Sequence, residues 1–194
     1  MTVFPAGTQT LTPALKEWQV AVTALTAGET IVVLRKGGIR EAKGGFTVRH
    51  DRALLYPTYE HQKPHLLKPG YASQVEPVAS GWHPDTVEIA AWARITDQLE
   101  VVDEARLQAL LPFHIWNQEF VIERLKWQPQ QPLTVLLLRV YRLSSARLIP
   151  FDAAYGGCKS WIEIPPIAVD EALPALDDRT YADRVAAIRA ILAD

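Results

Sequence analysis

Between Val87 and Thr96, apolar and polar side chains alternate in unbroken phase. Val87, Ile89, Ala91, Ala93 and Ile95 fall on one side, and Glu88, Ala90, Trp92, Arg94 and Thr96 on the other. A repeat of two is the signature of a strand with one face in the core. The run Leu133 to Leu143 is nearly continuously apolar and suits a central strand buried on both faces. Together these segments commit the chain to a substantial sheet. Further strands are expected over Thr30 to Lys36, Phe46 to Arg49, Ala53 to Tyr56, Leu148 to Phe151 and Trp161 to Ile164. Helices are fewer. Thr12 and Pro13 resemble a cap and first turn, with Leu15, Trp18, Val22 and Leu25 on one face and Gly28 at the stop. Asp103 caps a short helix carrying Leu107, Leu110 and Leu111, ended by Pro112, and Trp116 to Lys126 forms another. The tail ends in an amphipathic helix with Tyr181, Val185, Ile188 and Leu192 inward. Strands and helices do not alternate, which predicts an α+β fold with a mixed or antiparallel sheet flanked by helices, and the sheet is a candidate to curl into a small barrel.

The chain has 194 residues, 48% of them hydrophobic, enough for one well-buried core. Cys158 is the one cysteine, so no internal disulfide forms, and this usage fits a reducing cytoplasm. No apolar run reaches the roughly 18 residues a membrane span needs, and the first residues do not form a secretory signal. The segment Lys63 to Pro84, with Pro64, Pro69, Pro77 and Pro84, is expected as a long surface loop.

Net charge is −2, but its distribution is uneven. Arg35 to Arg52 holds six bases against two acids, and Glu123 to Arg147 five against one. Glu76 to Glu104 holds seven acids against Arg94, and Glu163 to Asp194 seven against three arginines. Two basic blocks in a near-neutral chain either share one positive face or pair with the acidic segments across the fold.

The stretch Leu34 to Gly45 reads L-R-K-G-G-I-R-E-A-K-G-G. Arginine supplies a planar fork of donors, and glycine lets the backbone come close to an anion. Arg35, Lys36, Arg40, Arg49 and Lys159 are therefore the candidate phosphate or anion ligands. Tyr59, Glu60, His61, Trp92 and Trp161 are the candidates to face a base or another flat ligand. Trp92 is the leading ring, because it falls on the polar side of its strand. The other tryptophans, Trp82, Trp116 and Trp127, are further stacking candidates, whereas Trp18 is expected in the core.

No motif demands a cofactor, and no metal set is assigned. Glu41-Ala42-Lys43 matches half of a restriction-nuclease metal site, but no aspartate precedes it in the chain. Pro64 interrupts any helical pairing of His61 with His65. Tyr155-Gly156-Gly157-Cys158-Lys159 lacks the spacing of a phosphate-binding P-loop.

Strings in order along the chain carry a family resemblance. They are Leu15-Lys16-Glu17-Trp18, Leu34 to Glu41, Tyr56-Pro57-Thr58-Tyr59-Glu60-His61-Gln62, His114-Ile115-Trp116, Arg124-Leu125-Lys126-Trp127, Leu136 to Leu143, and Tyr155 to Glu163. The chain resembles a bacterial family of unknown function, DUF1802, over about Leu15 to Glu163. On that pattern residues 12–164 form a single α+β domain, and 165–194 a C-terminal extension ending in the amphipathic helix. Members are sometimes joined to restriction-endonuclease-like domains, so the resemblance implies a link to restriction or defence. The order of elements is also similar to the PUA-like barrels, whose ASCH and EVE members bind RNA or modified bases. Three functions remain in play. They are a DNA- or RNA-binding module, a metal-dependent nuclease or small hydrolase using Glu41, Lys43, Glu60 and His61, and a protein–protein adaptor docking through the C-terminal helix.

Overall fold

A computed structural model describes residues 7–36 and 46–193. β1 (Thr10–Trp18) leads into α1 (Gln19–Ala27), β2 (Val32–Arg35) and β3 (Arg52–Thr58). A 3-10 turn at Pro64–Leu66 and the single-turn α2 (Pro69–Ala72) precede β4 (Thr86–Val101). α3 (Glu104–Ala109) and α4 (Gln118–Lys126) occupy the crossover to β5 (Leu133–Pro150). β6 (Trp161–Ala168), β7 (Leu173–Pro174) and α5 (Asp178–Ala193) complete the chain.

The strand order is β2-β5-β4-β3-β1-β6, with β7 pairing to β5. β1 and β3 run parallel and the other pairs antiparallel. This is the α+β fold with a mixed sheet that the pattern predicts. The strand path is open, ending on β2 and β6 among the described residues.

β5 is central because its residues are apolar in both phases. Leu133, Val135 and Leu137 enter a core shared with α1, α3, α4 and α5, while Leu136, Leu138 and Val140 enter a second core with Leu15, Leu55, Ala91 and Ala93. A bulge takes Ile89 opposite Arg147 and Ala91 opposite Arg142. Such an insertion bends a sheet. Beyond it Val87 and Ile89 bury in a third cluster with Leu54 and Ile149. Leu148 to Phe151 is therefore no separate strand: β5 runs on to Pro150.

The N-terminal region differs most from expectation. Leu15, Trp18, Val22 and Leu25 do not share a helix; the chain is a strand to Trp18 and becomes helical at Gln19. β1 lies between β3 and β6, so Ala14 to Glu17 are buried on both sides by neighbours remote in sequence. Pro13 has no amide hydrogen to donate, and the pairing with β6 slips beside it. Gly28 ends α1 in the left-handed region, as anticipated. Residues 46–50 form no strand, although Phe46 is buried. Asp103 caps α3 by accepting the Arg106 amide, and Asn117 caps α4. No helix among the described residues is long and apolar enough to cross a membrane.

Candidate functional site

Two parallel strands that end side by side leave a natural opening beyond their C-terminal ends. β1 finishes on Lys16-Glu17-Trp18 and β3 on Tyr56-Pro57-Thr58, with Lys16 opposite Tyr56 and Trp18 opposite Thr58. A cavity of about 390 Å³ occupies this position. The end of β2, the last turn of α4 and the segments around residues 81–84 and 151–159 close its sides.

The floor is cationic. The Arg35 guanidinium lies 3.1 Å from the Glu17 carboxylate and also donates to the Lys16 carbonyl. Lys16 Nζ donates to the Tyr155 and Gly157 carbonyls, at 2.5 and 2.9 Å. Burial pulls its pKa down, and so do the charges of Lys159 and Arg35, while Cys158 and Glu60 pull the other way. Arg124 lies 4.9 Å over the Phe120 ring. Its pKa is also lowered, first by burial, yet arginine stays charged. Lys36 Nζ donates to the Arg124 and Leu125 carbonyls at 2.7 and 3.1 Å, closing the last turn of α4. In all, Lys16, Arg35, Lys36, Arg124 and Lys159 face two carboxylates, Glu17 and Glu60.

The walls are aromatic. His83 stacks on Phe151 with centroids 3.4 Å apart, and Phe151 meets Tyr155 edge-on. Tyr155 meets Tyr56 at 5.7 Å, and Tyr59 meets Trp82 at 5.8 Å, both edge-on. Burial, followed by the two neighbouring tyrosines, raises the Tyr56 pKa to about 12, so its hydroxyl stays protonated. Trp116 and Phe120, stacked on each other with centroids 5.1 Å apart, also line it. At the rim, Glu60 accepts the Gly81 amide at 2.6 Å and the Ser80 hydroxyl at 3.2 Å, with His61 Nε2 3.2 Å away. Those bonds, led by the Gly81 amide, hold its carboxyl below the usual range. Glu60 thus ties the segment bearing Trp82 and His83 to the end of β3.

The family model for a domain of unknown function, DUF1802, matches residues 14–187. The chain belongs to this family. The match begins inside β1 and ends within α5, beyond Glu163. Among curated proteins none matches. Of the solved structures, ASCH from Zymomonas mobilis is similar at 12% identity and a TM-score of 0.46, covering 79% of this chain and 87% of that one.

In this DUF1802 chain six of the candidate anion-binding and base-facing residues converge on the cavity (Arg35, Lys36, Tyr59, Glu60, His61 and Lys159), joined by the stacking candidates Trp82 and Trp116 but not Trp127. Three stand elsewhere. Arg49 is exposed and does not line the cavity. Trp92 stacks face to face on Tyr141, its cross-strand partner, at 4.3 Å; the polar side of β4 is a packed surface at this point, not a free one. Trp161 is buried, with Nε1 donating to the Thr47 carbonyl. Its place at the start of β6, between Phe46 and Leu15, makes it part of the core. Arg40, Glu41 and Lys43 lie outside the described residues. The described metal-type cluster is His65, Glu119 and Glu123, exposed and separate from Glu60 and His61.

Sequence reasoning missed Lys16, Glu17 and Arg124 as floor residues, and His83, Phe151 and Tyr155 as wall residues. A signal existed for the first pair. A lysine and a glutamate between Leu15 and Trp18 are ordinary on a helix, but on a strand they put charge inside a sheet. Burying charge there is expensive unless it is paired or used.

Proposed function

We propose that this chain is a nucleic-acid-binding module that encloses one nucleotide in the cavity beyond β1 and β3. One observation carries the reading: aromatic walls and a cationic floor meet in the same enclosed space. Rings such as Tyr59 and Trp82 offer π-faces to a base, and the lysines and arginines offer charge to a phosphate. The volume sits at the small end of ligand pockets, which span about 300–1,000 Å³. It suits one nucleotide of a strand rather than a strand lying along a groove. Nothing in the arrangement requires chemistry on the bound group. Glu60 is engaged with the Ser80 hydroxyl, the Gly81 amide and His61, which suits a structural tie more than a general base.

Equilibrium binding of a single-stranded oligonucleotide tests this directly. Affinity should fall steeply as salt rises, because bound phosphates release counterions. Trp82 is exposed, so Trp82→Ala should leave the fold intact. It should weaken binding about 5- to 150-fold, the range for loss of one stacked base. No binding of DNA or RNA at low salt would end the proposal.

A further inference from the structure

Charge in the cavity is graded with depth. The exposed groups lie at the mouth: His61, Lys159 and Trp82. The buried or half-buried ones lie on the floor: Lys16 and Lys36 below one-tenth exposed, and Arg35 and Arg124 only partly exposed. All four line the same cavity. Arg35 donates to the Lys16 backbone and lies 3.1 Å from Glu17, and Lys36 donates to the Arg124 backbone. Glu17 is the acid that stands against them on the floor. Arginine and lysine clustered away from water repel one another, and such a cluster is relieved by an anion.

An internal nucleotide of a strand keeps its phosphodiesters at the mouth, because the strand must continue on both sides. Such a nucleotide would press a neutral base edge onto the cationic floor and leave its charge outside. A terminal phosphate has one chain leaving it, so it can lead into a blind pocket, followed by its own base against the aromatic wall. We propose that the floor formed by Lys16, Arg35 and Arg124 takes a phosphomonoester, so that the cavity recognises a phosphorylated nucleotide end and not an internal base. This inference rests on the nucleotide-binding reading above and sharpens it. A free nucleoside monophosphate carries the same chemistry, so the experiment must separate the two sources.

The test measures affinity for one single-stranded oligonucleotide in three forms, with a 5′-phosphate, with a 3′-phosphate, and with both ends as hydroxyls. A nucleoside monophosphate and its nucleoside are measured alongside. Charge-assisted, bidentate contacts predict at least about a tenfold gain for one phosphorylated end over the hydroxyl form. Arg124→Gln should erase that gain, weakening the phosphorylated form far more than the hydroxyl form, and Arg124→Lys should restore part of it. Thermal unfolding of both variants separates a binding defect from a folding one; where Arg124→Gln unfolds, Arg35→Lys should shrink the gain by removing one bidentate fork, and a gain it leaves untouched overturns the inference. If the monophosphate binds as tightly as the phosphorylated oligonucleotide, the phosphomonoester assignment stands and the chain-end source is rejected. Equal affinity for all three oligonucleotides overturns the inference yet leaves the nucleic-acid reading in place. A gain that persists in Arg124→Gln also overturns it. No binding by any probe removes both.

Discussion

His114 is a titratable side chain placed where its charge has no outlet. It is 3% exposed, and neither ring nitrogen reaches a hydrogen-bond partner. Burial first, and then the Lys68 ammonium, push its pKa down to about 4. The Trp116 backbone opposes this weakly, as a nearby dipole and not a formed bond. Lys68 is fixed there because its Nζ donates to the Leu111 and His114 carbonyls. The folded chain therefore prefers neutral histidine, while the unfolded chain takes up a proton near the ordinary value of about 6.5. The stabilising contribution is complete above pH 6.5 and disappears as pH falls towards 4. The window of about 2.5 pH units corresponds to roughly 3 kcal/mol. Chemical denaturation at a series of pH values should show that decline, and His114→Phe should flatten it. An unchanged slope in the variant would mean other groups carry the acid sensitivity. The string His114-Ile115-Trp116 is visible in the sequence, but its burial is not, because the neighbours come from residues 66–72 and from α3 and α4.

Elements were legible in the sequence where local pattern and tertiary environment agree. The alternation of β4, the apolar run of β5, the Asp103 cap and the amphipathic α5 all follow from short-range rules. β1 was not legible. Its spacing of apolar residues also fits a helix, and what makes it a strand is pairing with Leu54–Thr58 and Trp161–Ala168, far along the chain. The same cause hid half of the site, since Lys16 and Glu17 matter only once β1 ends beside β3. Lys36 shows how an element can lend a candidate ligand a second purpose. Its ammonium satisfies two carbonyls that α4 leaves open at its C-terminus, and it opposes the negative end of the helix dipole. Burial lowers its pKa, with Arg124 adding to the effect. Lys36→Met should therefore cost about 1.5–3 kcal/mol in urea unfolding, the usual range for hydrogen bonds to a charged group. It should also weaken ligand binding by loosening the turn that carries Arg124. A variant that loses binding at unchanged stability would instead make Lys36 a direct phosphate ligand.

For the whole molecule, the question is whether α5 is a detachable docking arm or part of the folded body. Three sets of contacts tie it down. Val185 and Ile188 enter the core shared by α1, α3, α4 and β5. Asp178 accepts from the buried Arg139 at 2.6 Å, and the Tyr181 ring lies under the same guanidinium. Arg184 donates to the Gly28 carbonyl, and Arg189 pairs with Asp97. Asp177 caps the helix by accepting the Thr180 amide and hydroxyl. Removing residues 173–194 would expose apolar surface worth roughly 1.5–3 kcal/mol for each of Val185 and Ile188. It would also strip the buried Arg139 guanidinium of the Asp178 carboxylate, the Asp177 carbonyl and the Tyr181 ring that hold it. Domains of this size have about 5–15 kcal/mol in total, so the truncated chain should lose its cooperative transition. An adaptor whose helix merely hangs from the core would behave otherwise, melting at the same temperature with or without those residues. Calorimetry of the two chains decides between them, and a matching melting temperature and enthalpy would return α5 to the role of a free docking element.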